Sequence, residues 1–174
     1  MEGNGGEGSL SLPGDSAPSG YRFPAEWEPH ESVWMSWPEK PERIEGWDCS
    51  RPMLKMIVAL MPHVKVSLCV NDEKQKREVV ELLVLKEGQE QVYLEQRIVW
   101  RFIKHDEHWM RDFGPIFLKS DKKEDPLIVA NFDWNCWGYI GHIIGYDKLV
   151  AQGISSPPLS FDECSSFFHE RVGG

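Results

Sequence analysis

Lysine and arginine are absent from the first 20 residues, MEGNGGEGSLSLPGDSAPSG. A secretory signal needs a basic head before an apolar run and a transit peptide is arginine-rich, so neither is predicted. The Gly, Ser and Pro content of residues 1–20 predicts a disordered leader. Basic charge is short over the whole chain as well: 28 acidic residues face 19 basic ones, a formal net charge of −9. That balance disfavours non-specific nucleic-acid binding and mildly favours cationic ligands. No apolar run approaches the roughly 20 residues of a membrane helix, so no membrane partner is expected. Cysteines are few, and Cys49, Cys69, Cys136 and Cys164 stand far apart with no Cys-x-x-Cys pair. Neither a disulfide framework nor a zinc site follows, and a reducing, cytoplasmic setting fits best.

What is present is an ordinary globular composition, 41% hydrophobic and 27% charged over 174 residues. That length buries one core. Trp27, Trp34 and Trp37 stand among Pro24, Pro29 and Pro38, and prolines that close together break the segment into short extended pieces. Val33, Met35 and Trp37 alternate as a short strand ending at Pro38. Met53, Leu54, Ile57 and Leu60 have helical spacing, with Ser50 as the expected cap.

VKVSLCV, residues 64–70, reads as a buried strand. EKQKREVVELLVLKE, residues 73–87, is an amphipathic helix capped by Asn71 or Asp72. Its KQKRE patch reads as a solvated face offset by neighbouring acids. QRIVWRFI, GPIFLKS and LIVANFDW follow as strands, with a polar turn at DKKEDP. Early strands separated by helices, then adjacent strands, predict α/β modules with mixed sheets. The ordered part is expected over residues 21–150. From 151 to 174 apolar periodicity fades, Ser and Pro collect, and the tail reads as divergent or truncated.

The densest chemistry lies in HDEHWMRDFGPIF, residues 105–117. Arg111 and Asp112 beside Gly114 and Pro115 could form one surface ion pair in a turn, worth about 0–1 kcal/mol. Alternatively, Asp112 is a carboxylate at a strand end facing a pocket. It would pair side by side with a planar guanidinium through two charge-assisted hydrogen bonds, with Trp109 as the face on which a cation rests.

Three segments in order carry a resemblance. WMRDFGP is similar to the Trp-x-Arg-Asp-x-Gly-Pro signature of the agmatine deiminase and Porphyromonas-type peptidyl-arginine deiminase family. PAEWEPHESVWMSWPE resembles that family's N-terminal Trp- and Pro-rich segment. FDWNCWG resembles its aromatic-x-Phe-Asn-x-Trp-Gly segment, with Asn135, Trp137 and Gly138 matching. Together they cover residues 21–140, which is far more specific than one motif.

The resemblance implies a hydrolase acting on linear amidines, folded as a five-module α/β propeller (the pentein fold) of which about two modules are present. It implies agmatine, a small cationic guanidino compound, as substrate, and N-carbamoylputrescine and ammonia as products on the way to putrescine. In such enzymes a cysteine thiolate attacks the guanidinium carbon, a histidine handles protons, and carboxylates on opposite sides fix the plane. Asp112 would be one orienting carboxylate, with Trp109 and Glu107 as further substrate contacts. Arg111, Gly114, Pro115, Asn135 and Trp137 would be structural. No cofactor and no metal are implied, and a homo-oligomer is compatible.

Departures are equally specific. DEHW replaces the usual Asn/Asp-Asp-x-Trp, so Glu107 reaches one methylene further and Asp106 reads as a solvated turn residue. The family's Leu-Glu-Gly-Gly carboxylate, its Gly-His-x-Asp segment and its C-terminal cysteine have no counterpart. Cys136 reads as a buried structural thiol, and Cys164 has an anion beside it, which works against a nucleophile. His105 and His108 at a strand end do not share a face as metal ligands would. The chain alone is therefore expected to be inactive. The alternatives are a short non-catalytic isoform serving as a binding module, a peptidyl-arginine deiminase fragment, or an unrelated cation-binding α/β domain.

Overall fold

The computed structural model describes residues 20–39, 48–121, 127–131, 146–155 and 166–169. The expected leader, apart from Gly20, and most of the tail lie outside them.

The apolar run at Val66–Val70 forms the middle strand of a parallel sheet. β2, Lys65–Val70, pairs with β1, Ser32–Ser36, on one side and with β3, Ile98–Phe102, on the other. A strand paired on both edges and covered by helices has no solvent face, and Val66 through Val70 are all buried. This sheet is purely parallel; the mixing expected from sequence occurs only in the second one.

Three helices connect these strands. α1, Ser50–Leu60, buries Met53, Leu54 and Ile57, as their spacing predicts. Ser50 is not its cap. It is the first helical residue, and the Asp48 carboxylate accepts from its amide at 2.9 Å and its hydroxyl at 2.5 Å. α2, Glu73–Glu87, is capped by Asp72, whose side chain accepts from the Gln75 amide at 2.8 Å. Asn71, the other candidate, has a different use described below. Gly88 ends α2 with φ of 65°, and the Gly88 and Gln89 amides close on Val84 and Leu83. α3, Gln91–Arg97, was not anticipated; it takes Gln96 and Arg97 from the expected strand and buries only Leu94. Seven residues with one buried side chain are too few to show a period.

The main core lies between this sheet and its helices, around Leu54, Ile57, Met61, Leu68, Val79, Leu83 and Leu94. Each such side chain contributes about 1.5–3 kcal/mol relative to exposure. Cys69 on β2 is also fully buried, and burial pushes its thiol up to about 12.

The second sheet has the order β4, Ile116–Lys119; β5, Leu127–Asn131; β6, Ser166–His169. β4 and β5 are antiparallel, and β5 and β6 are parallel. β6 thus brings the expected tail back to the sheet. The chain before β1 is laced to β4: Arg22 and Lys119 exchange backbone hydrogen bonds of 2.9 and 2.8 Å. The Arg22 guanidinium grips Glu28 at 2.5 and 3.0 Å. A second apolar cluster joins the halves, with Phe113, Val150 and Ile154 packed against Trp34, Ile103, Met110 and Phe117. Val150 and Ile154 belong to α5, Val150–Ser155, which follows a 3-10 turn at Tyr146–Leu149. The boundary expected at 150/151 therefore falls within a packed helix. No described helix is long and apolar enough to cross a membrane.

Candidate functional site

After β3 the chain from Ile103 to Trp109 passes over the C-terminal ends of all three parallel strands, where open α/β sheets usually bind ligands. It is tied down at each. The His105 amide donates to the Asn71 side-chain oxygen, just beyond β2, at 2.9 Å. The His105 ring is buried, with Nδ1 2.7 Å from the Ile103 carbonyl oxygen and Nε2 2.5 Å from that of Trp37. Carbonyls only accept, so a ring nitrogen that carries a proton donates it to the carbonyl it faces.

The Glu39 amide donates to the Asp106 carbonyl at 3.0 Å, and the Ser36 hydroxyl to the Glu107 carbonyl at 3.0 Å. From the far side, the Asp147 carboxylate accepts the Asp106 and Glu107 amides at 2.7 and 3.1 Å. Asp106 answers by accepting the Tyr146 amide at 2.7 Å. Asp106 is half-buried and structurally engaged rather than a solvated turn residue. Burial raises the Asp147 pKa, partly offset by the two amides it accepts.

The motif itself is a single helical turn, α4, Met110–Phe113. Phe113 is buried in the second apolar cluster, while Arg111 and Asp112 are exposed. The Asp112 amide donates to the Trp109 carbonyl and the Gly114 amide to the Met110 carbonyl, each at 2.9 Å. A β-carbon at Gly114 would press on the Met110 carbonyl oxygen and lie 2.9 Å from its sulfur. Glycine is needed here for close approach rather than for its φ. Pro115 then leads into β4.

Trp109 is 47% exposed and stacks on His108 with ring centroids 4.5 Å apart. Arg111 pairs with Glu26, and both are exposed, so the contact is worth about 0–1 kcal/mol. A cleft of about 630 Å³ runs beside the motif, between Phe23–Val33 and Met110–Phe117. Arg111 and Pro115 line it; Trp109, Asp112 and Glu107 do not. Glu107 is half-buried and held through its backbone. Asn135, Trp137, Cys136 and Cys164 lie outside the described residues.

The structure therefore brings Trp109, Asp112, Gly114 and Pro115 together on one locked segment at the strand ends. Sequence reasoning missed Asp147 and the anchoring role of His105. The only sequence signal for Asp147 is an acidic residue just before an apolar helix start, which elsewhere reads as a cap.

Residues 22–168 match the Porphyromonas-type peptidyl-arginine deiminase family. The chain belongs to this family. It is 32% identical over 123 residues to agmatine deiminase of Pseudomonas aeruginosa, covering 68% of this chain and 29% of that protein. It is 26% identical over 164 residues to agmatine deiminase of Medicago truncatula, covering 88% and 40%. The solved agmatine deiminase of Enterococcus faecalis superposes with a TM-score of 0.63 at 24% identity, over 87% of this chain and 38% of that one. The chain thus spans well under half the length of these relatives.

Proposed function

We propose that the chain forms the guanidinium-orienting part of an agmatine deiminase-type site in a partial five-module α/β propeller. Asp112 holds two nitrogens of the guanidinium plane, and Trp109 provides a wall for the cation or its alkyl stem. The reaction served is hydrolysis of agmatine to N-carbamoylputrescine and ammonia. The observation that carries this reading is the closed turn at Trp109–Gly114, which presents an exposed carboxylate and a half-exposed indole from one rigid segment. An exposed carboxylate suits a site whose remaining walls come from other segments, including those with the cysteine, histidine and second carboxylate. Peptidyl-arginine is the second substrate class the family name supports.

The test is a titration of the 174-residue chain with agmatine, arginine and choline, together with an ammonia assay. Agmatine binds, Asp112→Asn weakens it by about 10- to 100-fold through lost charge-assisted hydrogen bonds, and choline does not compete. No ammonia is released. Equal binding of choline sinks the guanidinium reading, and turnover above background sinks the inactivity of the chain.

A further inference from the structure

The motif segment is gripped at both ends by one stretch of chain lying well downstream. At its upstream end the buried Asp147 carboxylate collects the amides of Asp106 and Glu107, and Asp106 returns a bond to the Tyr146 amide. At its downstream end Phe113, next to Asp112, packs on Val150 and Ile154, one turn and two turns further along the same stretch. Between these grips lie only His108, Trp109 and the single turn of α4. We propose that Asp147 is a positioning residue, which with the start of α5 sets where Trp109 and Asp112 stand above the parallel strands. The inference rests on Asp112 and Trp109 being the substrate contacts, and it deepens that reading.

The physical basis is a carboxylate with nowhere else to go. Asp147 is 2% exposed, and a buried carboxylate must be compensated by donors or it disrupts its surroundings. Two adjacent amides converging on one oxygen provide that compensation and define the path of the loop at Asp106–Glu107. A four-residue turn has almost no stability of its own, so its placement is inherited from what holds its ends. A small shift there would displace a planar carboxylate–guanidinium pair, whose geometry is demanding.

Hydrogen exchange on the 174-residue chain tests this without activity. In Asp147→Ala the amides of Asp106, Glu107 and Asp112 lose protection by about tenfold or more, as expected when charge-assisted bonds are removed. Those of Val79 and Leu83 in the core stay unchanged. Asp147→Asn, which keeps an acceptor oxygen, restores the loop. Unchanged loop amides in Asp147→Ala, or a uniform loss across loop and core that Asn fails to restore, overturns the proposal.

Should Asp147→Ala not fold, Asp106→Ala against Asp106→Asn reads the same clasp from the other side, with the same pattern expected and the same results overturning it. Agmatine titration of the same samples separates the two levels. If the wild type binds no agmatine but the exchange pattern holds, the substrate reading fails and the positioning of the segment by Asp147 stands.

Discussion

Gly114 closes on Met110: its amide donates to the Met110 carbonyl at 2.9 Å, and a β-carbon would strike that same oxygen. The neighbour is backbone, which cannot step aside as a flexible side chain could. Gly114→Ala is therefore expected to destabilise the chain by about 1–3 kcal/mol, the usual range for overpacking. Gly88→Ala is the control. It has φ of 65° with nothing within 4 Å of an added β-carbon, so only the left-handed backbone penalty, about 1–2 kcal/mol, applies. Urea denaturation of both variants checks this. A Gly114→Ala cost no larger than that of Gly88→Ala would show that the turn opens freely.

Asp147 predicts a falling limb in the stability profile. Burial raises its pKa in the folded chain, so the folded state binds the proton more tightly than the unfolded state. Stability contributed at this position is greatest below the unfolded value of about 3.9 and declines as pH rises through the folded value. Asp147→Asn removes the titration. As pH rises above the unfolded value of about 3.9, the variant should lose less stability than the wild type. Parallel curves from urea midpoints would contradict the assignment.

Glu28 works in the opposite sense. The Arg22 guanidinium, with the Ala25 amide, holds its carboxyl down at about 2. Its contribution is present above the unfolded value of about 4.3 and disappears as pH falls toward the folded one. Glu28→Gln should flatten the acid limb of the stability curve. The wild-type advantage should also shrink in 1 M salt, because the pair is near the surface. An advantage unaffected by both acid and salt would mean that the ion pair adds nothing.

Cys69 should be chemically silent in the native state. It is fully buried on the central strand, and its thiol is pushed up to about 12, so almost no thiolate exists at neutral pH. Peptide mapping after iodoacetamide treatment should find Cys69 unmodified until the chain is unfolded. Modification under native conditions would show that β2 opens locally.

Much of this was legible in residue order, for identifiable reasons. The two long helices and the strands of the parallel sheet were readable because Met53–Ile57, Val79–Leu83 and Val66–Val70 display their periods over enough residues. Short pieces were not. α3 buries one residue and α4 is a single turn, so neither completes a pattern. Ser50 was a plausible cap by type, but Asp48 accepts the donors because the helix begins one residue earlier than that reading assumed. Stretches rich in serine near the end hid α5, whose buried Val150, Ala151 and Ile154 fit within six residues.

Residue types at local spacing determined which segments could be helix or strand and marked Trp109–Pro115 as the chemically distinctive stretch. Only the tertiary structure decided what holds that stretch in place. The partners of Asp147 are backbone amides 40 and 41 positions away, and those of the His105 ring are backbone carbonyls. Nearly every residue carries these same groups, so no amino-acid type marks such a partner. Where the chain crosses itself selects them.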